Sequence, residues 1–446
     1  QERREEVSFL HREINGVNLI LVESQRFSEK LGIYTYTEEE EKMDPWKRKG
    51  DGHFDYFATN VLLQKSVLAY GAYHRVTPWC IHCHDGHTAL IPGLMREIEG
   101  YRHLYLNTKS VVTIHNAGIG YHQDVADLPF AKAITGLPWS VINGSLLNGA
   151  FDPFLCAANY ATLNTVSENY ARELQETDLD SLTGWLGHTL KERGVVLHGI
   201  TNGIDPDAYD PRHPERLGLP MGFDPLRGDL EGKLASRRLL KRRIDSRSLE
   251  GLTCLGEITD DTTRPLLTSI GRLTSQKGVD VLIGALEGLA TSNRAFDCLI
   301  MGSGEPEFED RLKALIDIEG LKGHLALLLG YSERIGNLVY AAGDFFIIPS
   351  LYEPCGLTDF IAQLFGNIPI VRATGGLVKV RDGETGLSYR EHHPNALANT
   401  ILRALDLYEN SPHTLQAMRE RAIHLIYERY TWDKVSEKYL ALYENA

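Results

Sequence analysis

Residues 265–290, PLLTSIGRLTSQKGVDVLIGALEGLA, decide the fold that the sequence predicts. The run 265–273 is largely apolar, as expected for a strand that is buried on both faces of a parallel sheet. The run 278–290 predicts the helix that follows this strand. Because a buried strand followed by a helix is the repeating unit of α/β proteins, the stretch predicts a parallel α/β fold.

The same pattern recurs along most of the chain. Further apolar runs that predict strands are VVTIHN (111–116), ATLNTVS (161–167), VVLHGITNGID (195–205), CLIMGSG (298–304), FFIIPS (345–350) and IPIVRATGG (368–376). Most of these runs end in or near Gly, Asn, Ser or His. Ligands of open α/β sheets bind at the C-terminal ends of the strands, so these polar residues are the first candidates for a functional site.

The alternating pattern stops over residues 206–263, which are rich in Pro and Gly and predict a connector. We therefore predict a Rossmann-like domain over residues 1–205 and a second one over residues 264–429. Residues 430–446 have apolar residues at helical spacing and predict a closing helix. Two doubly wound domains that face each other across a central cleft are the simplest arrangement of these parts.

Composition excludes several classes of protein. The chain has 446 residues, of which 43% are hydrophobic and 24% are charged, enough for two domains with real cores. Its formal charge of −14 argues against general binding to nucleic acids or anionic membranes. Six cysteines at irregular positions do not form the framework of a disulfide-rich protein and favour a reducing compartment. No run is long and apolar enough for a membrane span or a signal peptide, which predicts a soluble intracellular protein.

The stretch WCIHCHDGH, residues 79–87, raises the question of a metal site. Structural zinc sites need four converging ligands, and no second pair of ligands follows at a suitable spacing. If the stretch is a strand, Cys80 and Cys83 point to opposite faces of the sheet. We therefore predict no metal here and interpret the stretch as a strand that ends in a polar loop containing Asp85.

Two basic residues follow the strand at 265–273. Arg272 and Lys277 are five positions apart on a turn that leads into the predicted helix. A fork-shaped guanidinium, an ammonium and a helix N-terminus together are suited to binding a diphosphate. The alternative is a solvated basic turn.

Glu353 follows the predicted strand FFIIPS, and it is a candidate acceptor for sugar hydroxyls because a carboxylate cannot help to bind phosphate. Cys355, Gly356 and Leu357 then open a helix whose first N–H groups have no partner within the helix. Cys355 is more simply explained as a small packed residue than as a nucleophile.

A third strand-end loop contains Thr374, Gly375 and Gly376 after the strand IPIV. Consecutive glycines let backbone amides approach an oxyanion closely. One such loop is weak support for a binding site, but three in order within one domain are much stronger.

Several motifs together resemble the bacterial glycogen synthases and plant starch synthases. These motifs are RLTSQKG (272–278), EPCGLT (353–358), PIVRATGGL (369–377), HCHDGH (82–87), TIHN (113–116), TVSENYARE (165–173) and HGITNGIDPDAYDP (198–211). The family consists of retaining glucosyltransferases with the GT-B fold. The resemblance implies transfer of glucose from ADP-glucose, or UDP-glucose, to the nonreducing end of an α-1,4-glucan or malto-oligosaccharide. It implies no metal and no cofactor, and a location in the bacterial cytoplasm or the plastid stroma.

The resemblance also implies roles for individual residues. Arg272 and Lys277 would neutralise the leaving diphosphate, and Glu353 would bind glucose hydroxyls. His115 would lie beside the reacting face of the sugar, in an N-terminal domain on the acceptor side. The remaining residues implied in binding the nucleotide sugar are Asp85, Asn202, Cys355, Gly356, Leu357, Thr374, Gly375 and Gly376.

The chain departs from the family pattern in three places. The first strand and its Lys-x-Gly-Gly-Leu motif are not found, and we expect them to lie outside this sequence. Residues 117–124, AGIGYHQD, stand where the family commonly has a Tyr-Gln-Gly turn in the acceptor loop. Asp359 and Ile361 replace a common Gln and Tyr, which leaves the preference for adenine open.

Two alternatives to an active glucan synthase remain at this point. One is a catalytically silent relative that binds glucan or acts as a scaffold, in which case it would not bind a nucleotide sugar. The other is a GT-B transferase that uses a small acceptor.

Overall fold

The computed structural model describes residues 4–249 and 251–446. The chain divides into two compact units: unit 1 comprises Gln1–Val166, Ala171–Gly199 and Leu440–Ala446, and unit 2 comprises Ser167–Tyr170 and Ile200–Tyr439. Each unit contains a parallel sheet with helices, which confirms the predicted α/β class.

Unit 1 is built around a parallel sheet and two hairpins. Its strands are Ser8–Ile14 (β1), Val17–Glu23 (β2), Cys80–His84 (β3), Lys109–Ile114 (β4), Leu146–Leu147 (β5), Ala150–Phe151 (β6), Thr162–Thr165 (β7) and His198–Gly199 (β8). Its helices are Gln25–Ser28 (α1), Glu38–Met43 (α2), Tyr56–His74 (α3), Ile91–Glu97 (α4), Glu99–Arg102 (α5), Leu128–Thr135 (α6), Trp139–Gly144 (α7), Pro153–Ala157 (α8), Glu168–Glu176 (α9), which begins in unit 2, and Leu186–Glu192 (α10).

The parallel sheet of unit 1 has four strands in the order β3-β4-β7-β8. Its central strand β4 is buried from Ser110 to Ile114, as its apolar run predicts. The run 195–205 forms a strand only at its two residues in β8, which pair with the end of β7. The polar residues that follow β3 and β4 therefore lie at the same edge of the sheet, because parallel strands end on the same side.

Unit 2 contains the larger sheet. Its strands are Thr253–Gly256 (β9), Leu266–Ile270 (β10), Asp297–Gly302 (β11), Leu325–Leu329 (β12), Phe345–Ile348 (β13), Ile368–Arg372 (β14) and Leu387–Tyr389 (β15). Its helices are Pro214–Leu217 (α11), Glu231–Asp245 (α12), Val279–Ala290 (α13), Pro306–Leu315 (α14), Glu333–Ala342 (α15), Thr358–Leu364 (α16), Pro394–Asn410 (α17), Pro412–Arg429 (α18) and Trp432–Asn445 (α19), which extends into unit 1.

The sheet of unit 2 has the order β15-β14-β13-β10-β11-β12-β9, and only β9 is antiparallel to its neighbour. The six parallel strands, β10 to β15, thus have the strand order of the Rossmann fold. The order reverses between β10 and β13, which are adjacent in the sheet but separated by two strands in the chain. Ligands of such sheets bind at this switch point, outside the C-terminal ends of the two strands.

The apolar strands of unit 2 are buried on both faces. Phe345 and Ile347 belong to one hydrophobic cluster, whereas Phe346 and Ile348 belong to another. Successive side chains of a strand point to opposite faces, so a strand covered on both sides must be apolar throughout. This arrangement accounts for the runs from which the sequence predicts the sheet.

The segment 206–263, predicted as a connector, belongs to unit 2 and contains helix α12 and strand β9. The predicted closing helix over 430–446 corresponds to α19. Within residues 4–249 and 251–446, no helix is long and apolar enough to cross a membrane.

Candidate active site

The loops that follow β10 and β13 meet at the switch point of unit 2. Lys277 lies in a short 3₁₀ turn after β10, and its Nζ is 2.7 Å from Oε2 of Glu353 in the loop after β13. Gly278 ends this turn with φ of +68°, and a Cβ at that position would lie 2.1 Å from the carbonyl oxygen of Pro349. Only glycine therefore lets the two loops approach this closely.

The Glu353 side chain is largely enclosed. Its Oε2 accepts one hydrogen bond from Lys277 and another, of 2.9 Å, from the hydroxyl of Ser350. Glu353 as a residue is 8% exposed, whereas the Lys277 side chain is 27% exposed. The paired carboxylate is thus held in one position, and the ammonium still reaches solvent.

Arg272 lies two positions after the end of β10 and is exposed. Its Nη2 donates a hydrogen bond of 2.8 Å to the side-chain oxygen of Gln276, one position before Lys277. The backbone of Gln276 in turn accepts a hydrogen bond from Leu351. The structure therefore brings both predicted cations to the C-terminal end of β10.

The third predicted loop packs directly against the second. The N–H of Gly376 donates a 2.9 Å hydrogen bond to the carbonyl of Glu353. A Cβ on Gly375 would lie 1.9 Å from this same carbonyl oxygen, and a Cβ on Gly376 would lie 1.9 Å from the carbonyl oxygen of Cys355. Neither glycine can carry a side chain without moving the backbone of the neighbouring loop.

Cys355 is a packed residue, as predicted. It is 7% exposed, and burial raises the pKa of its thiol to about 11. The backbone of Asn202 makes a hydrogen bond to the thiol, so Asn202 lies in unit 2 beside the second loop. A thiol with so high a pKa is not a nucleophile at neutral pH.

A pocket of about 380 Å³ opens next to Arg272. Its walls come from the C-terminal ends of β10, β11 and β12, from helix α15 and from Ile361 in helix α16. Tyr331 and Tyr209 contribute aromatic surface, and Tyr331 is 80% exposed. An apolar pocket with a basic group at one side fits a flat aromatic ring attached to an anion.

Unit 1 brings histidines together at the ends of β3 and β4. Nδ1 of His84 is 3.0 Å from Nε2 of His115, and the rings of His82 and His84 are 4.2 Å apart. Burial and the neighbouring histidines lower the pKa of His82 to about 4, and the same two causes lower the pKa of His84. These two rings are therefore neutral at pH 7.

Asp85 fixes the backbone where β4 ends. It adopts a left-handed conformation with φ of +58°, and its carboxylate accepts a 2.8 Å hydrogen bond from the backbone N–H of His115. Two successive strand ends are thus connected through one side chain. Within residues 4–249 and 251–446, no group of three or more His, Cys, Asp or Glu side chains is arranged to hold a metal ion.

The unusual loop 117–124 is attached to the same part of unit 1. The His122 ring is buried between Asp152, at 2.6 Å from Nδ1, and the carbonyl of Ala117, at 2.7 Å from Nε2. A Cβ at Gly86 would lie 2.1 Å from the His122 carbonyl oxygen. The glycine of the HDGH motif therefore makes room for this loop.

Three features of the site were missed by the sequence analysis. They are Ser350, the pocket around Tyr331, and Lys379, whose Nζ donates to backbone carbonyls of the second and third loops. The pocket has a signal in the sequence, because LALLLGY (325–331) is a buried run that ends in glycine like the other strands. Lys379 has none, since its partners in the second loop, Cys355 and Gly356, are more than 20 residues away in the chain.

Known protein families match both halves of the chain. Residues 1–191 match the starch synthase catalytic domain, and residues 256–424 match the glycosyl transferases of group 1. The glycogen synthase of Syntrophotalea carbinolica is 31% identical over 97% of this chain and 83% of the relative. The glycogen synthase of Thermodesulfovibrio yellowstonii is 28% identical over 96% of this chain and 78% of the relative.

Solved structures support the same fold. The catalytic domain of starch synthase IV from Arabidopsis thaliana, bound to ADP and acarbose, aligns with a TM-score of 0.79 and 24% identity, over 99% of this chain and 85% of that one. Sucrose-phosphate synthase from Thermosynechococcus elongatus aligns with a TM-score of 0.54 and 18% identity, over 89% and 80% of the two chains. The GT-B fold is thereby confirmed. The chain belongs to the family of glycogen synthases and starch synthases, and it is a glucosyltransferase of that type.

Proposed function

We propose that this enzyme transfers glucose from ADP-glucose to the nonreducing end of an α-1,4-glucan, with Arg272 and Lys277 binding the leaving diphosphate. The observation that carries this assignment is the Lys277–Glu353 pair at the switch point of the unit 2 sheet, beside Arg272. A nucleotide sugar carries both anionic phosphates and hydroxyls, which are the partners that two cations and one carboxylate require.

Charge determines how these residues act. Breaking the bond between glucose and diphosphate places negative charge on the leaving oxygens and positive character on the sugar. Arg272 and Lys277 stabilise that negative charge from fixed positions, which is the most effective form of electrostatic catalysis. Glu353 holds Lys277 in place and accepts hydrogen bonds from glucose hydroxyls with its remaining acceptor capacity.

The backbone of the second and third loops completes the donor site. Cys355, Gly356, Leu357, Thr374, Gly375 and Gly376 provide peptide groups at the ends of β13 and β14. Since Gly375 and Gly376 carry no side chains, the second loop packs directly against the third, and the two loops lie close enough to bind one donor molecule together. Asn202 supports this part of the site through its hydrogen bond to Cys355.

The pocket beside Arg272 is the proposed binding site of the nucleoside. Tyr331 offers an exposed ring on which a purine can stack. The ADP bound to the starch synthase IV structure supports adenine as the base. Ile361, at the position where the family commonly has Tyr, forms part of the wall.

His115 and Asp85 are the proposed residues of unit 1 at the reacting sugar. The neutral ring of His84 leaves His115 without a cationic neighbour on that side. We infer that the configuration is retained by attack from the side of the leaving group, because Glu353 is paired with Lys277 and is therefore a poor nucleophile. The bacterial relatives support the cytoplasm as the compartment.

A labelling experiment tests the proposed function. The protein is incubated with radiolabelled ADP-glucose or UDP-glucose and a maltodextrin primer, and the product is digested with α-amylase. We expect incorporation from ADP-glucose into a product that the amylase degrades. Binding of maltoheptaose without binding or turnover of either nucleotide sugar would instead favour a silent relative, and transfer to glucose, maltose or fructose 6-phosphate alone would favour a small acceptor.

A further inference from the structure

Lys379 occupies a position that no family motif or sequence pattern explains. Its side chain is 5% exposed, and its Nζ donates hydrogen bonds to the carbonyls of Cys355 and Gly356, both at 2.6 Å, and of Gly376 at 3.1 Å. An ammonium group has three protons, so the three carbonyls satisfy it completely. One buried charge thus connects the loop after β13 to the loop after β14.

The charge of Lys379 is balanced by Asp359, the residue that departs from the family pattern. Oδ2 of Asp359 lies 3.1 Å from Nζ of Lys379, and Asp359 is fully buried. The ring of Phe360 lies 4.4 Å from the same Nζ. Burying a charge is costly unless it is paired with an opposite charge and hydrogen-bonded. The ammonium of Lys379 has the carboxylate of Asp359 as its opposite charge and three backbone carbonyls as its hydrogen-bond acceptors.

The carbonyl contacts determine where the N–H groups of the same peptides point. In a trans peptide the N–H is directed opposite to the carbonyl, and no cis peptide occurs within the part of the chain that the structure describes. The N–H groups of Gly356 and Leu357 therefore point away from Lys379. Leu357 is 42% exposed, so this side of the loop is accessible to a ligand.

We propose that Lys379 is a positioning residue of the donor site: by drawing the carbonyls of Cys355 and Gly356 inward, it orients these two peptides so that the N–H groups of Gly356 and Leu357 face the nucleotide sugar. Its bond to the carbonyl of Gly376 holds the loop after β14 against them. The inference rests on the proposed function for the identity of the ligand. Lys379 itself does not touch the ligand, and Asp359 serves to keep the ammonium charged and in place.

The test compares variants that separate positioning from charge balance. The double variant Lys379→Met with Asp359→Asn removes both charges together, so no unpaired charge stays buried. Lys379→Arg keeps the charge and the pairing with Asp359, but a planar guanidinium cannot reproduce the contacts of a compact ammonium. Lys233→Met is the control, because Lys233 is also buried in unit 2 and donates to a carbonyl, that of Phe365, outside the two loops.

Two measurements are made on each variant. Without ligand, amide hydrogen exchange should become faster over residues 352–358 and 374–380 in both Lys379 variants and stay unchanged there in Lys233→Met. By calorimetry, the dissociation constant of ADP should rise between about 10- and 100-fold in the Lys379 variants, with the KM for maltodextrin unchanged.

Unchanged exchange in these two segments, an unchanged affinity for ADP, or an equal loss of ADP affinity in Lys233→Met would each overturn the proposal. If the double variant does not fold, Lys379→Arg alone decides by the same criteria. Failure of the proposed function looks different, because the wild type would then bind neither ADP nor UDP, whereas hydrogen exchange would still report whether Lys379 orders the loops.

Discussion

The ammonium of Lys277 lies 2.7 Å from the carboxylate of Glu353, although 76 residues separate them in the chain. The two residues follow β10 and β13, which are neighbours in the sheet because the strand order reverses there. The topology of the sheet thus places the ammonium that we propose to bind phosphate beside the carboxylate that we propose to accept hydrogen bonds from sugar hydroxyls.

Removal of either cation should slow catalysis strongly. If each group stabilises charge that develops on the leaving diphosphate, as we propose, Lys277→Ala and Arg272→Ala should each lower kcat by about 10²- to 10³-fold. The measurement is the initial rate with saturating ADP-glucose. Lys313→Ala is the control, since Lys313 forms an exposed pair with Asp310 on helix α14 and should leave the rate unchanged. Turnover near the wild-type rate in both site variants would contradict the assignment.

A methyl group on Gly376 should disrupt the donor loops. A Cβ there would lie 1.9 Å from the backbone oxygen of Cys355, so Gly376→Ala must displace one of the loops. We expect at least a tenfold loss in kcat/KM for ADP-glucose. A shift of a substrate-binding group by about 1 Å can cost an enzyme about 100-fold in rate.

Gly288→Ala is the matched control for this steric prediction. Gly288 lies within helix α13, and no atom lies within 4 Å of its added Cβ. Replacing an exposed helical glycine by alanine should stabilise the fold by about 0.5 to 1 kcal/mol. Thermal unfolding measures the stability of both variants. Equal changes in melting temperature for Gly376→Ala and Gly288→Ala would show that the contact with Cys355 is unimportant.

Loss of the Tyr331 ring should weaken nucleotide binding. If the base stacks on this ring, Tyr331→Ala should reduce the free energy of ADP binding by about 1 to 3 kcal/mol, and Tyr331→Phe should retain most of it. Calorimetry with ADP measures the effect. Tyr73→Ala, at an equally exposed tyrosine of unit 1, should have no effect. An unchanged affinity in Tyr331→Ala would place the base outside this pocket.

The His122–Asp152 pair should make the stability of unit 1 depend on pH. Both partners of the His122 ring are acceptors, so the ring donates from both nitrogens and is an imidazolium. Burial opposes this charge, but the hydrogen bond and charge of Asp152, the carbonyl of Ala117 and the charge of Asp124 together raise the pKa of His122.

The sign of this pH dependence follows from the raised pKa. The pair contributes its full stability below the unfolded pKa of about 6.5, and this contribution is lost as the pH rises through the higher pKa of the folded state. His122→Gln should therefore destabilise the protein by about 3 kcal/mol at about pH 6 and by less in alkaline solution. Denaturation curves across this range measure the difference. A deficit that is independent of pH would show that His122 is neutral in the fold.

Much of the fold can be predicted from local sequence. The runs that become β10, β11, β13 and β14 are continuously apolar because these strands are buried on both faces, and each is followed by polar residues at the edge where ligands bind. The position of Arg272 and Lys277 at the end of β10 follows from this pattern alone. The strand β12 has the same signal in LALLL.

The contacts between distant residues were decided only by the tertiary structure. Sequence patterns report burial and periodicity along a few neighbouring residues. Asp359 and Lys379, or His122 and Asp152, meet because segments that are distant in the chain pack together. Asp359 looks in the sequence like a departure from the family, and the structure shows it as the partner of a buried lysine. The sequence by itself therefore determined the buried strands β10, β11, β13 and β14 and the polar residues that follow them. The folded backbone decided which of those polar groups are paired and held in place.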